Sequence, residues 1–267
     1  MFQNGHFFIL FIPLLLAVTG GCSKAEDPGF LITAHRGASG LAPENTIAAI
    51  LEAIECGANY AEIDVHLTAD GQVVLMHDDS VNRTTDGTGN IWELTLEELE
   101  GLDAGSWFSE EFAGEPVPTL RDVIRLASGK IKLNIEIKVT PEEPEVASAV
   151  VGIIRTENFG RSCMITSFDR QTVEEVRRIA PDIITGLIFG SDYPADVMEG
   201  EWEVLSCNQE IVNQNFVNRA REAGKLVHVW TVNDEMAMMR LIDLKVDGII
   251  TDYPDLLKEV LSTVNLR

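Results

Sequence analysis

A single (β/α)8 TIM barrel is the fold class that the sequence predicts, and two observations lead to it. Apolar runs of strand length alternate with segments of helical periodicity from Phe30 to the end of the chain. Such alternation is typical of a parallel sheet with helices packed on its outside. About 240 residues of this pattern match the usual length of an eight-stranded barrel.

Nine apolar runs bounded by polar residues are candidate strands, which is one more than the barrel needs. They lie at residues 31–34, 60–65, 73–76, 131–137, 164–167, 184–188, 204–207, 227–230 and 248–251. The run at 204–207 gives the weakest strand signal, so we expect it to be the extra one.

Helical periodicity fills most of the gaps between these runs. Apolar residues at 47, 50, 51 and 54 fall at i, i+3, i+4 and i+7, which places them on one face of a helix. Similar spacing recurs within residues 120–127, 146–153 and 173–179. We expect these segments to form helices around the barrel.

The alternation lapses between Ser80 and Pro118. Residues 84–89 are rich in threonine and glycine, and Thr95 with Glu98 forms a capping box before a short helix. A segment of this length needs structure of its own. We interpret residues 80–118 as a small insertion after strand three, on the face that carries the active site.

The amino terminus has the features of an export signal. The first 21 residues contain no Asp, Glu, Lys or Arg, and residues 7–18 form an apolar run too short to span a bilayer. Thr19, Gly20 and Gly21 then precede Cys22. This order resembles a bacterial lipoprotein signal that is cut before a cysteine that becomes lipid-modified.

The resemblance implies a signal peptide at 1–21, lipidation of Cys22, a polar tether at 22–29 and a barrel domain at 30–267. The chain would then be exported from a bacterial cytoplasm and anchored to a membrane, facing the periplasm or the cell surface. The alternative is a plain secretory signal in which Cys22 is incidental.

Charge and cysteine content exclude several classes of protein. The net charge of −23 argues against nucleic acid as a partner and against a basic patch on anionic lipid. If Cys22 is acylated, Cys56, Cys163 and Cys207 remain. Three cysteines cannot all pair, and their spacing matches no zinc site, so we expect free thiols.

Polar side chains gather where the predicted strands end, which is where barrel enzymes place their active sites. Glu62 and Asp64 are two residues apart on one strand and therefore share a face. Seven charged or imidazole side chains are placed in this way: His35, Arg36, Glu62, Asp64, His77, Glu136 and Lys138. Buried carboxylates are costly unless they are paired or bind a metal.

Each of these residues also has a purely structural interpretation. A lone histidine at a strand end is more often structural than catalytic, and the two carboxylates of strand two could simply pair with Arg36 and Lys138. The placement of all seven at strand ends of one fold favours a site. His228 receives no role, since strand alternation is taken to direct it toward the helices.

Short motifs along the chain resemble those of one enzyme family. They are HRG at 35–37, PENT at 43–46, EIDV at 62–65, LTADG at 67–71, HD at 77–78, RTT at 83–85, PTL at 118–120, NIEIK at 134–138, SF at 167–168, WTVN at 230–233 and DGIITDYP at 247–254. In this order they resemble the glycerophosphodiester phosphodiesterase family, whose barrel is of the phospholipase C-like phosphodiesterase type.

The resemblance implies hydrolysis of a small glycerophosphodiester to glycerol 3-phosphate and an alcohol. Matching positions make Glu62, Asp64 and Glu136 the ligands of one divalent cation, for which oxygen donors favour Mg²⁺ or Ca²⁺. His35 and His77 match the acid–base pair. The order of the two histidines, and the choice between water and a glycerol hydroxyl as nucleophile, stay open.

Three further positions are assigned to the substrate by the same resemblance. Arg36 and Lys138 would bind the phosphate oxygens. Trp230 would stack on the glycerol or on the leaving group, or would simply pack in the core.

Two other functions remain possible at this level. One is a related barrel phospholipase, of the phosphatidylinositol phospholipase C or sphingomyelinase D type. The other is a surface lipoprotein that binds a ligand without turnover. The sequence leaves the head group of the substrate and the oligomeric state open.

Overall fold

The structure is a computed structural model that describes Met1 and residues 29–264. The predicted signal peptide beyond Met1, Cys22 and the predicted tether up to residue 28 lie outside the described residues. No helix in the described part of the chain is both long enough and apolar enough to cross a membrane.

Eight parallel strands close into a barrel, which confirms the predicted fold class. In chain order they are β1 (Leu31–Ala34), β2 (Tyr60–Leu67), β4 (Lys132–Ile137), β5 (Cys163–Ser167), β6 (Ile184–Phe189), β7 (Val204–Asn208), β8 (Leu226–Trp230) and β9 (Gly248–Thr251), and β3 (Val73–Leu75) is a ninth strand. The barrel closes because β1 pairs with both β9 and β2.

The extra strand is β3, and the expectation that it would be the run at 204–207 was wrong. β7 pairs in parallel with β6 and β8, so it is a full member of the barrel. β3 is antiparallel to β2, with Leu75 opposite Val65. It arises because β2 runs on to Leu67 and a turn at Thr68–Gln72 folds the chain back.

Eight α-helices are described, and seven of them follow barrel strands. They are α1 (Ile47–Cys56), α2 (Leu96–Glu100), α3 (Leu120–Ala127), α4 (Val146–Thr156), α5 (Arg170–Ile179), α6 (Gln214–Glu222), α7 (Glu235–Asp243) and α8 (Pro254–Val264). The connection from β6 to β7 has no helix in the described chain, and Trp202 is buried there.

The helices begin where the sequence provides an N-cap. Thr46, Thr119, Asp169, Asn213 and Asp234 each accept the backbone N–H of the third residue that follows. Each cap pairs one of the amide groups that the first turn leaves without a helical partner. The side chains at the carboxyl ends of the strands therefore lie next to helix starts that are fixed in place.

Residues 80–118 form a small subdomain at the mouth of the barrel. Helix α2 begins with the predicted capping box of Thr95 and Glu98, and short 3-10 turns occupy Ile91–Glu93 and Glu110–Phe112. A small core holds the subdomain together: Val74, Met76, Val81, Ile91, Leu99, Ala104 and Val117. The Glu115 carboxylate accepts the Ala48 amide at 3.0 Å, which ties the insertion to α1.

The inside of the barrel is built in layers. Four buried residues form an apolar floor, namely Leu31, Tyr60, Met164 and Val204. Polar side chains on the same strands lie two residues further on, including Glu62, Thr166 and Ser206, and the barrel mouth lies beyond them. The large aliphatic clusters lie instead between the strands and the helices. The barrel interior thus becomes polar toward its carboxyl end.

Candidate active site

The predicted site residues converge on one pocket at the carboxyl ends of the strands. Its lining comprises His35, Arg36, Glu62, His77, Asn134, Glu136, Lys138, Phe168, Ile188, Ser206, Trp230, Thr231 and Ile250. Asp64 is the one predicted residue outside this lining, because its side chain is only 1% exposed. The structure therefore brings together side chains that are up to about two hundred residues apart in sequence.

Strands β2 and β4 place the three carboxylates side by side. Their register sets Glu62 opposite Asn134 and Asp64 opposite Glu136. Glu62, Asp64 and Glu136 can each offer an oxygen, and these oxygens all lie within 4.8 Å of one another. The period of two along each strand directs all three to the barrel interior.

The charges of this triad are only partly compensated. Burial, with Asp64 and Glu136 close by, raises the pKa of Glu62 to about 8. Burial also raises the pKa of Glu136. The pKa of Asp64 is instead lowered, because Lys138 at 3.0 Å and Arg36 at 3.6 Å outweigh its burial.

A purely structural interpretation expects the carboxylates to pair with Arg36 and Lys138. These ion pairs are present, but they do not satisfy every carboxylate oxygen. Lys138 Nζ donates to Glu136 at 2.5 Å, whereas Glu62 Oε1 is buried with no hydrogen-bond partner among the described residues. A buried carboxylate oxygen without a donor is costly. Such an oxygen beside two further carboxylates suits a divalent cation, and the three residues could hold one.

His35 ends β1 and is oriented by an aspartate from the far end of the chain. Its Nδ1 donates to Asp252 Oδ1 at 2.7 Å, and its Nε2 lies 4.0 Å from Glu62 Oε2. Burial lowers the pKa of His35, but the hydrogen bond to Asp252 and the charge of Glu62 outweigh it, so the pKa is raised.

His77 reaches the pocket by a different route from the one predicted. It follows the antiparallel β3, which descends beside β2, so it does not lie at the carboxyl end of a barrel strand. Its Nδ1 donates to Asp78 Oδ1 at 2.8 Å. Burial lowers the pKa of His77, and the positive charge of Lys138 adds to this effect. Both histidines use Nδ1 on an aspartate and keep Nε2 for the pocket.

The backbone around Arg36 is wound tightly into the site. Arg36 has a positive φ of 51°, and its amide donates to Glu62 Oε2 at 2.8 Å. Gly37 follows with φ 82°, and a Cβ there would lie 2.5 Å from the Cβ of Ala49. A non-glycine residue in the left-handed region often marks a functional site. Glycine is required at 37 by both conformation and space.

Comparison with known proteins agrees with this arrangement. The profile of the Glycerophosphoryl diester phosphodiesterase family matches residues 35–256. The chain belongs to this family. It is 40% identical to a glycerophosphodiester phosphodiesterase from Caldanaerobacter subterraneus subsp. tengcongensis, over 85% of this chain and 96% of the relative. It is 32% identical to another from Bacillus subtilis, over 95% and 96%.

A solved structure of a relative is similar in fold as well. The phosphodiesterase from Oleispira antarctica, in complex with the product sn-glycerol-3-phosphate, superposes with a TM-score of 0.83 at 32% identity. The match covers 88% of this chain and 97% of that one. Family membership makes the chain a phosphoric diester hydrolase.

Trp230 lies in the pocket wall of this phosphodiesterase. Its indole N–H donates to the Ser206 carbonyl at 3.0 Å, and its ring meets that of Phe168 edge to face at 5.6 Å. His228, two residues earlier on β8, lies on the same face and packs toward Gly248 inside the barrel. The expectation that His228 faces the helices was wrong, because β8 directs its even-numbered side chains inward.

Several residues of this family member that lie at the site were assigned no catalytic or binding role from the sequence. Asn45 donates to Asp64 Oδ2 at 2.8 Å and accepts the Asp64 amide at 3.0 Å, while Thr46 is the N-cap of α1. Glu44 accepts from Arg36 Nη1 at 2.8 Å. Asp252 holds His35 from the motif at 247–254. Their motifs had been recognised, but their partners are set by contacts between distant segments.

Proposed function

We propose that this chain hydrolyses glycerophosphodiesters to glycerol 3-phosphate and an alcohol. The observation that carries the proposal is the convergence of two aspartate-oriented histidines on a single pocket that is also lined by two members of a buried carboxylate triad. The product found in the Oleispira antarctica relative is of the same chemical class.

Glu62, Asp64 and Glu136 would hold one divalent cation, either Mg²⁺ or Ca²⁺. Support comes from the chemistry of the donors, which are all carboxylate oxygens, and from the unpaired Glu62 Oε1. When bound, such a cation supplies positive charge for the phosphate and lowers the pKa of a hydroxyl beside it.

The two histidines would move the protons of the reaction. One imidazole Nε2 accepts the proton of the attacking hydroxyl, and the other donates a proton to the oxygen of the leaving alcohol. Each Nδ1–H is held by an aspartate, so each ring presents Nε2 to the pocket in a fixed orientation. Asp252 holds one ring and Asp78 holds the other. This arrangement suits one histidine acting as the base and the other as the acid.

The cations and the aromatic wall would bind and orient the substrate. Arg36 presents a planar guanidinium to the phosphate oxygens, and Lys138 presents a single ammonium. These two charges oppose the repulsion that a protein of net charge −23 exerts on an anionic substrate. Trp230 would contact the glycerol or the leaving group from the part of the pocket wall that it shares with Phe168.

The test is release of glycerol 3-phosphate from glycerophosphocholine and glycerophosphoethanolamine by the full chain carrying Cys22→Ser. The protein is assayed after chelation and again after Mg²⁺ or Ca²⁺ is added back. We expect turnover that depends on the metal. Folded protein that is inactive with either metal, or that cleaves only intact phospholipids in a parallel assay, would contradict the proposal.

We further propose that the chain is an exported lipoprotein anchored to a membrane through Cys22. The support is the uncharged apolar segment that precedes Thr19-Gly20-Gly21-Cys22. Wild-type protein is expected in the membrane fraction, and the Cys22→Ser variant is expected to lose this location while keeping its kcat. Recovery of the wild type entirely in the bacterial cytoplasm would overturn this proposal.

A further inference from the structure

Arg83 stands out because it joins two parts of the active site without lining the pocket. It belongs to the insertion, and its side chain is 43% exposed. The guanidinium donates to Asp78 at 2.7 and 2.9 Å and to Glu44 at 2.9 and 2.7 Å. It therefore forms a bidentate hydrogen-bonded ion pair with each of two carboxylates.

Each of these carboxylates also holds a residue of the pocket. Asp78 accepts the Nδ1–H of His77 at 2.8 Å, and Glu44 accepts from Arg36 Nη1 at 2.8 Å. Charged groups of alternating sign thus run from Arg36 through Glu44, Arg83 and Asp78 to His77. One end of this series is the proposed phosphate ligand, and the other is a member of the proposed acid–base pair.

We propose that Arg83 is a positioning residue that fixes the orientation of His77 and keeps the charge of Arg36 available for the phosphate. The inference rests on the proposed phosphodiesterase activity. It adds a residue of the insertion to the machinery, although Arg83 lies outside the pocket lining.

The effect on His77 follows from geometry. Asp78 is the next residue in the chain and is about one-third exposed, so its carboxylate would be free to rotate toward water if nothing else held it. Both of its oxygens accept from Arg83. With the carboxylate fixed, the proton of His77 stays on Nδ1 and the lone pair of Nε2 stays directed at the pocket.

The effect on Arg36 follows from charge balance. Glu44 is shared between two guanidinium groups, and its Oε1 accepts from both Arg36 and Arg83. Removal of Arg83 would leave the whole negative charge of Glu44 to Arg36. Arg36 would then be neutralised by its own neighbour and would attract an anionic phosphate more weakly.

A purely structural role predicts a different result. Exposed ion pairs contribute little to folding, so Arg83 as a surface tie of the insertion would affect stability slightly and catalysis not at all. Arg125 offers a matched control, because it also binds a carboxylate, Glu157, while lying on α3 with a side chain that is 60% exposed. Among the described residues, its hydrogen bonds and ion pairs are all with Glu157, which does not line the pocket.

The experiment compares Arg83→Ala, Arg83→Lys and Arg125→Ala with the wild type, using glycerophosphocholine and added metal. We expect Arg83→Ala to lower kcat at least about tenfold and to raise KM, and Arg125→Ala to change neither. Added guanidinium ion should restore kcat saturably in Arg83→Ala, because the deleted side chain leaves an exposed gap. Methylammonium at equal ionic strength should not restore kcat. The kcat of Arg83→Lys should lie between those of the wild type and Arg83→Ala.

Nitrogen NMR of His77 gives a readout that does not depend on turnover. The wild type is expected to carry the proton on Nδ1, and Arg83→Ala is expected to show a mixture of tautomers. Unchanged kinetics in Arg83→Ala, or a loss of activity that guanidinium does not restore while the tautomer is unchanged, would overturn the inference. If Arg83→Ala does not fold, wild-type kinetics in Arg83→Lys would overturn it. Absence of turnover in the wild type would instead defeat the proposed activity.

Discussion

The two halves of the barrel contribute different kinds of side chain to the same pocket. From β1 to the end of β4 the lining is almost entirely ionisable, with His35, Arg36, Glu62, His77, Glu136 and Lys138. From β5 onward it is neutral, with Phe168, Ile188, Ser206, Trp230, Thr231 and Ile250. Asp252 belongs to the second half but acts on the first, because closure of the barrel between β9 and β1 brings it to His35.

This division implies that reaction and recognition are separable. The first half places three buried carboxylates close together and leaves one oxygen of Glu62 without a partner among the described residues, a costly arrangement that is typical of functional sites. The second half would shape the space beside the phosphate of the proposed substrate with neutral side chains. Substitutions of the histidines and carboxylates of the first half should therefore change kcat, and substitutions in the second half should change KM.

The largest effect is expected from the histidines. His35→Ala and His77→Ala should each lower kcat by about 10²–10⁴-fold, since each removes a member of the proposed acid–base pair. KM should change little, and the unfolding transition should remain. His228→Asn, which alters a histidine outside the pocket lining, serves as the control and should keep wild-type kcat. Activity equal to that of the wild type in either alanine variant would remove the acid–base assignment.

The next effect separates activity from stability within the first half. Glu62→Gln should abolish most of the metal-dependent rate, because it removes a charged ligand from the triad. The same change should leave the Tm of metal-free protein unaltered or raise it by about 2–4 °C, since it removes a carboxyl group whose charged form is disfavoured by burial and whose Oε1 has no partner among the described residues. Glu157→Gln, in surface ion pairs with Arg121 and Arg125, is the control for both measurements.

A fall in Tm for Glu62→Gln together with unchanged metal dependence would show that the carboxylate is a structural partner. That result would return the triad to the interpretation in which its members simply pair with Arg36 and Lys138.

A smaller effect is expected from the neutral half. Trp230→Ala should raise KM for glycerophosphocholine roughly tenfold, as the loss of one aromatic contact with the substrate would, and should leave kcat within a few-fold. Trp230→Phe should recover most of the loss. Trp107→Ala, which removes a 41% exposed tryptophan from the insertion, is the comparison variant. A change in kcat alone would contradict the separation of the two halves.

Local pattern was sufficient for the parts of this molecule that repeat. The period of two placed Glu62 and Asp64 on one face, and the helical spacing located α1, α3, α4 and α5 within a few residues. The pairing of β2 with β4, which brings Glu136 beside Asp64, depends on strand register. The sequence of one strand does not specify which strand it pairs with. The resemblance supplied that set before the structure showed its geometry.

The errors have a common physical cause. β3 and β7 are both short apolar runs. Only the strands with which they pair determine that β7 is one of the eight barrel strands and that β3 is an additional antiparallel strand. Arg83 and Asp252 bind partners from distant segments, namely Glu44 and His35, which a local pattern does not reveal. The inner face of β8 was assigned wrongly, because alternation along a strand defines two faces but does not determine which of them points into the barrel. Trp230 in the pocket wall fixes that choice.

The burial of His228 in the structure can be tested in solution. The side chain is buried and its Nε2 has no hydrogen-bond partner among the described residues. Burial lowers the pKa of His228 to about 4, whereas a histidine in an unfolded chain titrates near about 6.5. Between these two values the unfolded state binds more protons than the folded state, so stability falls as the pH falls.

The expected loss from His228 is about 2 kcal/mol between neutral pH and about pH 5, approaching about 3 kcal/mol once the pH is below the folded pKa. Urea unfolding of metal-free wild type and His228→Asn at both pH values measures it as a difference of differences, in which the titration of all other groups cancels. The wild type should lose more stability on acidification than the variant. Equal losses would mean that the imidazole reaches water and is not buried as the structure shows it.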